Sequence, residues 1–222
     1  MLARPALAAA LPVGRIVEAT AGETQLLAGE YLEAAEVEPA DLARAERLPS
    51  GALRLTPLRP GSGLVYLFEN GEVDAWRLYV RGPGESGAPA PSASPELWAA
   101  ARAACPGVQE RVVDGEHFLH AAVPDGRCRR ALLALLATDL FDGSHLRLVF
   151  DLPALQAQLR DMKLRLDAAR VTGLSLHYLG ATLVLSGTVA PAVRRRALRL
   201  VWQETLGKVD LDDQTESPDG GG

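Results

Sequence analysis

The fold is decided by a stretch that occurs twice: residues 123–140 read VPDGRCRRALLALLATDL, and residues 189–206 read VAPAVRRRALRLVWQETL. Aligned without a gap, Arg129 falls on Arg195, and further upstream Leu119 falls on Leu185. Each stretch continues a strand into an amphipathic helix with a shared arginine-rich start. Tandem copies of a small unit favour a scaffold, because an enzyme generally needs one asymmetric cleft.

Both copies predict the order helix, strand, strand, helix, strand. The first copy spans residues 96–150, with helices at 96–105 and 127–140 and strands at 108–113, 116–123 and 146–150. The second spans residues 151–213, with helices at 153–169 and 192–206 and strands at 173–179, 181–189 and 208–211. We therefore predict two small α+β (αββαβ) units, each a three-stranded sheet with two helices on one face and its own core.

An N-terminal all-β, sandwich-like domain is predicted for residues 13–81, where short apolar runs alternate with Gly, Pro and polar breaks. Asn70-Gly71 predicts a tight hairpin between strands at 64–68 and 73–80. On the second of these strands, Trp76 and Tyr79 fall on opposite faces. Residues 41–45 are predicted as one helical turn and residues 61–63 as a turn.

Segments of low complexity separate and flank these units. Residues 82–95 are rich in Gly, Pro, Ser and Ala and predict a disordered, flexible linker, while residues 214–222 predict a disordered tail. Residues 1–12 leave two interpretations open: the remnant of a secretory signal ending in an Ala-x-Ala, or a disordered alanine-rich arm. No stretch approaches the roughly 20 apolar residues of a membrane helix.

Composition limits the function classes. The formal net charge of −5 argues against a nucleic-acid surface, and only 5% of the residues are aromatic, so the cores must rest on Leu, Val and Ala. Cys105 and Cys128 match no zinc pattern. In an oxidising compartment they could form a disulfide that ties the end of one helix to the start of the next; in the cytosol they would be buried small hydrophobes.

The second copy resembles the BON domain, a family with an αββαβ plan and a "V-x-L-x-G-x-V" second strand. Here that strand reads LVLSGTV at residues 183–189. The first copy departs from the motif, since Ala121 stands at the glycine position and His117 at a leucine position. The first copy is therefore also similar to the small ring-building domains of secretins.

The N-terminal domain resembles the N-terminal region of pilus-formation secretins of the tight-adherence type. The matching elements are Gly22-Glu23, DLARA at residues 41–45, PGSGLVYLF at residues 60–68, Asn70-Gly71 and the strand at 76–80. Those secretins use the same order, a pilus domain followed by BON-like modules. Nothing resembling the secretin barrel follows the second copy, so the resemblance implies a periplasmic accessory or truncated partner of a secretion channel.

The sequence gives only weak signals for metal-binding or catalytic residues. His117 and His120 lie three apart on a predicted strand and point to opposite faces, so they are not expected to chelate one metal, and His145 and His177 are isolated. Ser186-Gly187 lies within a strand rather than at a strand-to-helix elbow. Asp212-Asp213 is interpreted as a solubilising pair beside the tail. We predict no catalytic residues, no metal and no cofactor.

The strongest charged feature is Arg194-Arg195-Arg196 on the last helix. Two interpretations stay open for it: a solvated helix face balanced by acids, or a docking strip for an acidic partner or an anionic lipid. Arg127, Arg129 and Arg130 occupy similar places in the first copy, which suggests a recurring docking edge. Together with Trp76 and Tyr79, residues 194–196 form the predicted interaction surface.

These observations favour a non-enzymatic periplasmic scaffold of a pilus or secretin-based secretion system. Association of this scaffold with the outer membrane is left open. Its expected partners are a secretin or other secretion proteins, with homo-oligomers and peripheral membrane contact left open and nucleic acid excluded. The first alternative is a BON-type envelope protein that binds phospholipid or another envelope component. The second is a cytosolic binding module with reduced cysteines, and an enzyme ranks last.

Overall fold

The computed structural model describes residues 15–27, 32–69, 72–85, 95–114, 116–136, 146–205 and 207–218. Across these ranges the chain is a mixed α+β protein in which all four helices follow a β-only N-terminal part. Residues 1–12, the turn at Asn70-Gly71 and most of the predicted linker, residues 86–94, lie outside the described ranges.

The N-terminal part, called the head below, comprises seven strands: β1 Arg15–Thr20, β2 Gln25–Leu27, β3 Leu32–Glu38, β4 Ala43–Arg47, β5 Leu53–Pro57, β6 Gly61–Glu69 and β7 Glu72–Arg81. They form a four-stranded sheet in the order β1-β7-β6-β3 and a three-stranded sheet in the order β2-β5-β4. Apolar side chains such as Leu55, Val65 and Leu78 belong to one buried cluster of the head. The head therefore has its own core.

Two local predictions for the head are wrong. Residues 41–45 do not form a helical turn, because the chain turns at Asp41-Leu42 and then enters strand β4, which pairs with β5. Residues 61–63 are the start of β6 rather than a turn. Gly63 lies so close to the backbone that an added Cβ would meet the Glu38 carbonyl oxygen at 2.3 Å, which explains a glycine within a strand.

Both copies have the predicted order of elements. The first contains α1 Pro95–Ala104, β8 Gln109–Val113, β9 Glu116–Val123, α2 Gly126–Leu136 and β10 Leu146–Phe150. The second contains α3 Leu152–Ala168, β11 Leu174–Leu179, β12 Thr182–Thr188, α4 Pro191–Thr205 and β13 Leu211–Glu216. In each copy the middle strand, β9 or β12, pairs antiparallel with the strand before it and parallel with the strand after the second helix.

Aligned turns of the two copies share their backbone conformation. Gly107 and Gly173 precede the first strands with φ of 91° and 84°. Asp114 and Gly180 lie in the following hairpins with φ of 54° and 65°. Because positive φ is favourable mainly for glycine and for Asp or Asn, these matched positions show that the repeat extends to the backbone.

The expectation of separate cores for the two copies is wrong. One apolar cluster includes Leu119 of the first copy, Leu185 and Trp202 of the second, and Tyr66 and Phe68 on the outer face of the head sheet. The two copies therefore share one apolar cluster, and this cluster also includes the outer face of the head sheet, which a flexible arrangement of independent modules would not have.

The end of the ordered chain also differs from the prediction. The last strand is Leu211–Glu216 rather than residues 208–211, so part of the predicted disordered tail pairs with β12. Residues 82–85 of the predicted linker form a turn in which the Gly82 amide donates to Glu85 Oε2 at 2.8 Å. Alternating Asp, Gln, Thr and Glu side chains gave β13 little hydrophobic signal in the sequence.

Candidate functional site

The hairpin residues predicted to bind a partner are largely withdrawn from the surface. Trp76 is half-buried against the head core, and its Nε1 donates to Asp74 Oδ2 at 2.9 Å. Tyr79 is buried, and this burial raises the pKa of its phenol. The two side chains lie on opposite faces of β7, so they do not form one exposed patch.

The arginine strip of α4 contacts the acidic strand β3 of the head. Arg194 Nη1 lies 3.2 Å from Glu33 Oε2, and Arg195 Nε lies 3.2 Å from Glu36 Oε1. Arg196 is exposed. The strip is thus neither fully solvated nor free for another molecule: two of its three arginines join the second copy to the head.

Aromatic packing completes this contact. The rings of Tyr66 and Trp202 meet edge to face, with centroids 5.8 Å apart and an interplanar angle of 84°. Gln203 Nε2 donates to Tyr66 Oη at 2.8 Å, and the Arg199 guanidinium carbon lies 5.8 Å from the Tyr66 ring centroid. Burial raises the pKa of the Tyr66 phenol further above physiological pH. We call this set of contacts the head–helix interface.

A second polar cluster joins the two copies. Arg129 of α2 is 1% exposed and forms ion pairs with Asp161 of α3 and Glu204 of α4. Arg165 Nε lies 2.5 Å from Glu204 Oε1, and Gln158 Nε2 donates to the Glu204 carbonyl oxygen at 2.6 Å. We call these five residues the buried arginine network.

Tyr178 extends the buried arginine network to strand β11. Its hydroxyl donates to Gln158 Oε1 at 2.6 Å, and burial raises its pKa, so the phenol remains a neutral donor. The network borders an open cleft of about 300 Å³ that also contacts Leu133 and Leu164. Each carboxylate of the buried arginine network is paired with a guanidinium. This arrangement is suited to holding the helices of the two copies together.

Cys105 and Cys128 form a disulfide in the structure, with their Cα atoms 4.8 Å apart. Cys105 directly follows α1, and Cys128 lies in the first turn of α2. Both are fully buried. The bond therefore connects the two helices of the first copy where they pack on its sheet.

The histidines lie on separate surfaces. His117 faces the helices, with its Nδ1 2.7 Å from Glu110 Oε1, whereas His120 lies on the outer face of the same sheet. His177 is exposed on the second sheet, and His145 is outside the described ranges. Among the residues that the structure describes, no group of three or more His, Cys, Asp or Glu side chains could hold a metal ion.

The acid pair at the end of the chain is divided between two faces of β13. Asp213 is 4% exposed in its side chain, and Arg194 Nε lies 2.7 Å from its Oδ2. Asp212 is exposed on the other face and accepts a hydrogen bond from Gln214 Nε2. The interpretation of both acids as solubilising residues is therefore wrong for Asp213, which helps to orient Arg194.

The outer face of the first sheet remains accessible. Strand register places Gln109, His120 and Arg147 in one row across the sheet, with Arg111 opposite Phe118 in the next. These side chains line a shallow groove of about 600 Å³ together with Val113. We call this surface the basic face; sequence reasoning missed it because its arginines lie on two different strands.

The corresponding surface of the second sheet carries the opposite charge. Its outer residues on β13 are Asp212, Gln214 and Glu216, and β11 contributes His177 and Leu179. Leu179 is 72% exposed. We call this surface the acidic face. Sequence reasoning missed it because residues 214–216 were assigned to a disordered tail.

No protein-family model matches the chain, and no curated protein sequence matches it significantly. The resemblances to BON domains and to pilus secretins therefore rest on the motifs quoted from the sequence. Within the described ranges, none of the helices is long and apolar enough to cross a membrane.

Proposed function

We propose that this chain is a non-enzymatic scaffold of a bacterial pilus-assembly or secretin-based secretion machine, and that it acts by docking other proteins onto a rigid three-part body. The observation that carries the proposal is the joining of the head and the two copies by the head–helix interface and the buried arginine network. Rigid presentation of several surfaces is what a docking scaffold requires, since less ordering entropy is lost when a partner binds.

The quoted motifs supply the biological setting. Two αββαβ units behind a β-only head are in keeping with BON-like modules behind a pilus-secretin N-terminal region. The disulfide between Cys105 and Cys128 favours an oxidising compartment, because cytosolic thiols are kept reduced. Together these two observations support a periplasmic location for the proposed scaffold.

The scaffold role is tested with the periplasmic fragment of a secretin encoded in the same genome. Size-exclusion chromatography with light scattering should show a stable complex of the two proteins that neither forms alone. An unrelated periplasmic protein of similar charge serves as the control. The proposal fails if the secretin fragment and this chain elute separately at micromolar concentrations, where a transient docking pair would still associate.

Phospholipid binding is the second candidate, and one observation favours it. Val113 is 36% exposed on the same face of β8 as Arg111, which places apolar and cationic side chains together at one edge of the sheet. Such a combination favours anionic membrane surfaces. Co-sedimentation with anionic vesicles but not with zwitterionic vesicles would support this function in place of protein docking.

A further inference from the structure

The outer faces of the two sheets are related by the repeat but have diverged in charge. Arg147 and Val149 point outward from β10, and β13, the matching strand of the second copy, presents Asp212, Gln214 and Glu216 in their place. All five of these side chains are exposed to solvent. The chain therefore carries a basic sheet face and an acidic sheet face of the same architecture.

Apolar side chains accompany the charges on both surfaces. Val149 is 50% exposed on the basic face, and Leu179 is 72% exposed on the acidic face. In both cases the apolar residue lies on an edge strand of its sheet. Two such faces could stack at the usual sheet-to-sheet distance of about 10 Å, with charged side chains meeting across the contact.

We propose that the basic face of one molecule binds the acidic face of a second copy of the same chain. This inference deepens the proposed scaffold function, on which it rests, by naming one docking partner. The charges of the two faces are complementary. Arg111 and Arg147 lie on the two edge strands of the basic face, so the acidic strand β13 of the second molecule can lie beside an arginine whichever way the two sheets are turned.

The contact is head-to-tail, because it joins two different surfaces. Each molecule that uses its basic face for one neighbour keeps its acidic face for another, so association continues beyond a dimer. The average mass should therefore rise steadily with protein concentration. Exposed charges on both faces also make the association sensitive to salt, since opposite charges are screened over about 8 Å at physiological ionic strength.

The test is sedimentation velocity of the full chain over a range of concentrations, at about 20 mM and about 500 mM salt. We expect concentration-dependent growth at low salt and a largely monomeric protein at high salt. In the double variant Arg111→Glu/Arg147→Glu, self-association at low salt should weaken at least tenfold. Arg44→Glu/Arg47→Glu is the matched control, because it makes the same charge change on exposed residues of β4 and should associate like the unmodified chain.

A charge exchange identifies the two faces as partners. Asp212→Lys/Glu216→Lys should also be monomeric alone, whereas an equimolar mixture of this variant with Arg111→Glu/Arg147→Glu should associate again. Circular dichroism and thermal melting verify that each variant is folded. The inference is overturned if the unmodified chain stays monomeric at low salt, if the basic-face variant associates like the control, or if the mixture stays monomeric.

The two proposals can fail separately. If the unmodified chain does not self-associate, the pairing of the two faces is overturned. The proposed complex with the secretin fragment is not affected by that result, because it is measured separately. Conversely, a chain that assembles with itself but ignores the secretin fragment would contradict the proposed machine and not the contact between copies.

Discussion

Arg129 and Arg195 occupy the same position in the two copies, yet they join neighbouring units at very different depths. Arg129 is 1% exposed and is enclosed by carboxylates of α3 and α4. Arg195 is 30% exposed in its side chain and meets Glu36 of the head. The comparison teaches that a repeated residue can keep its role, contact with the next unit, while its energetic weight is set by burial.

The comparison also shows where the chain of contacts ends. The first copy docks on the second through Arg129, and the second docks on the head through Arg195. In the gapless alignment, Glu204, the buried acceptor for Arg129, corresponds to Thr138 of the first copy. The first copy thus lacks the equivalent carboxylate at the aligned position.

The largest effect should come from removing the buried arginine. Arg129→Met should lower the free energy of unfolding by about 3–5 kcal/mol, because it removes the buried countercharge of Glu204 and leaves this buried carboxylate only the exposed Arg165 as a partner. Arg195→Met, the aligned change in the second copy, should cost about 0–1 kcal/mol, as expected for a partly exposed pair. Urea unfolding followed by circular dichroism gives both values.

A combined variant tests whether the unpaired carboxylate of Glu204 causes the loss of stability. Arg129→Met/Glu204→Gln should recover part of the loss, because the uncompensated charge is removed together with its partner. Equal losses for Arg129→Met and Arg195→Met would contradict the assignment of the two arginines to different depths.

The disulfide should have the next largest effect, and only the first copy contains one. The aligned positions in the second copy are Val171 and Arg194, which cannot bridge. Cys105→Ala/Cys128→Ala should lower stability by about 3 kcal/mol, since the bond closes a loop over a sequence separation of 23. Urea unfolding with and without reductant provides the measurement.

Reductant itself is the internal control. It should lower the stability of the unmodified chain by a similar amount and leave the double alanine variant unchanged. A reductant effect on the variant, or none on the unmodified chain, would show that the cysteines are not bridged in solution.

The smallest change in stability is expected at one aligned position in β9 and β12, the central strands of the two sheets. Gly187 has φ of 136°, and an added Cβ would lie 2.1 Å from the Gly173 carbonyl oxygen. Gly187→Ala should therefore cost about 1–3 kcal/mol through strain. Ala121→Gly, the aligned reverse change, should cost roughly 0.5–1 kcal/mol through backbone entropy.

The register explains why the first copy tolerates alanine at this position. Gly187 is paired with Leu174 of β11, whereas the pairing of β8 with β9 begins at Gln109 and His120, one residue short of Ala121. Thermal unfolding of both variants tests the difference. A Gly187→Ala protein as stable as the unmodified chain would mean that the neighbouring strand is free to move away.

Local patterns predicted the elements of the fold well where apolar residues alternate or recur. Strand Leu146–Phe150 has the predicted bounds, and α1 begins at Pro95, one residue before the predicted start. The errors lie where that signal is weak: β4, with alternating Ala and charged residues, and β13, with almost no apolar residues. At these places the pairing strand, rather than the sequence of the segment, fixes the conformation.

The candidate site was less predictable. The sequence pointed to Arg129, Arg194 and Arg195 as members of a repeated edge. Arg129 and Arg195 meet acceptors from other units, whereas Arg194 meets Glu33 of the head and Asp213 of its own unit. Glu36 and Glu204 look like ordinary surface acids when each segment is considered alone. The basic face was missed for the same reason, because its arginines lie on strands separated by a helix.

Sequence alone determined the two αββαβ units and the β-only head, because these depend on periodicity and backbone preferences within short segments. Tertiary structure alone decided that the two copies share one apolar cluster with the outer face of the head sheet, that Arg195 meets Glu36, and which sheet faces remain open. The physical reason is that burial and ion pairing depend on the distance between side chains from remote segments, which no local pattern specifies.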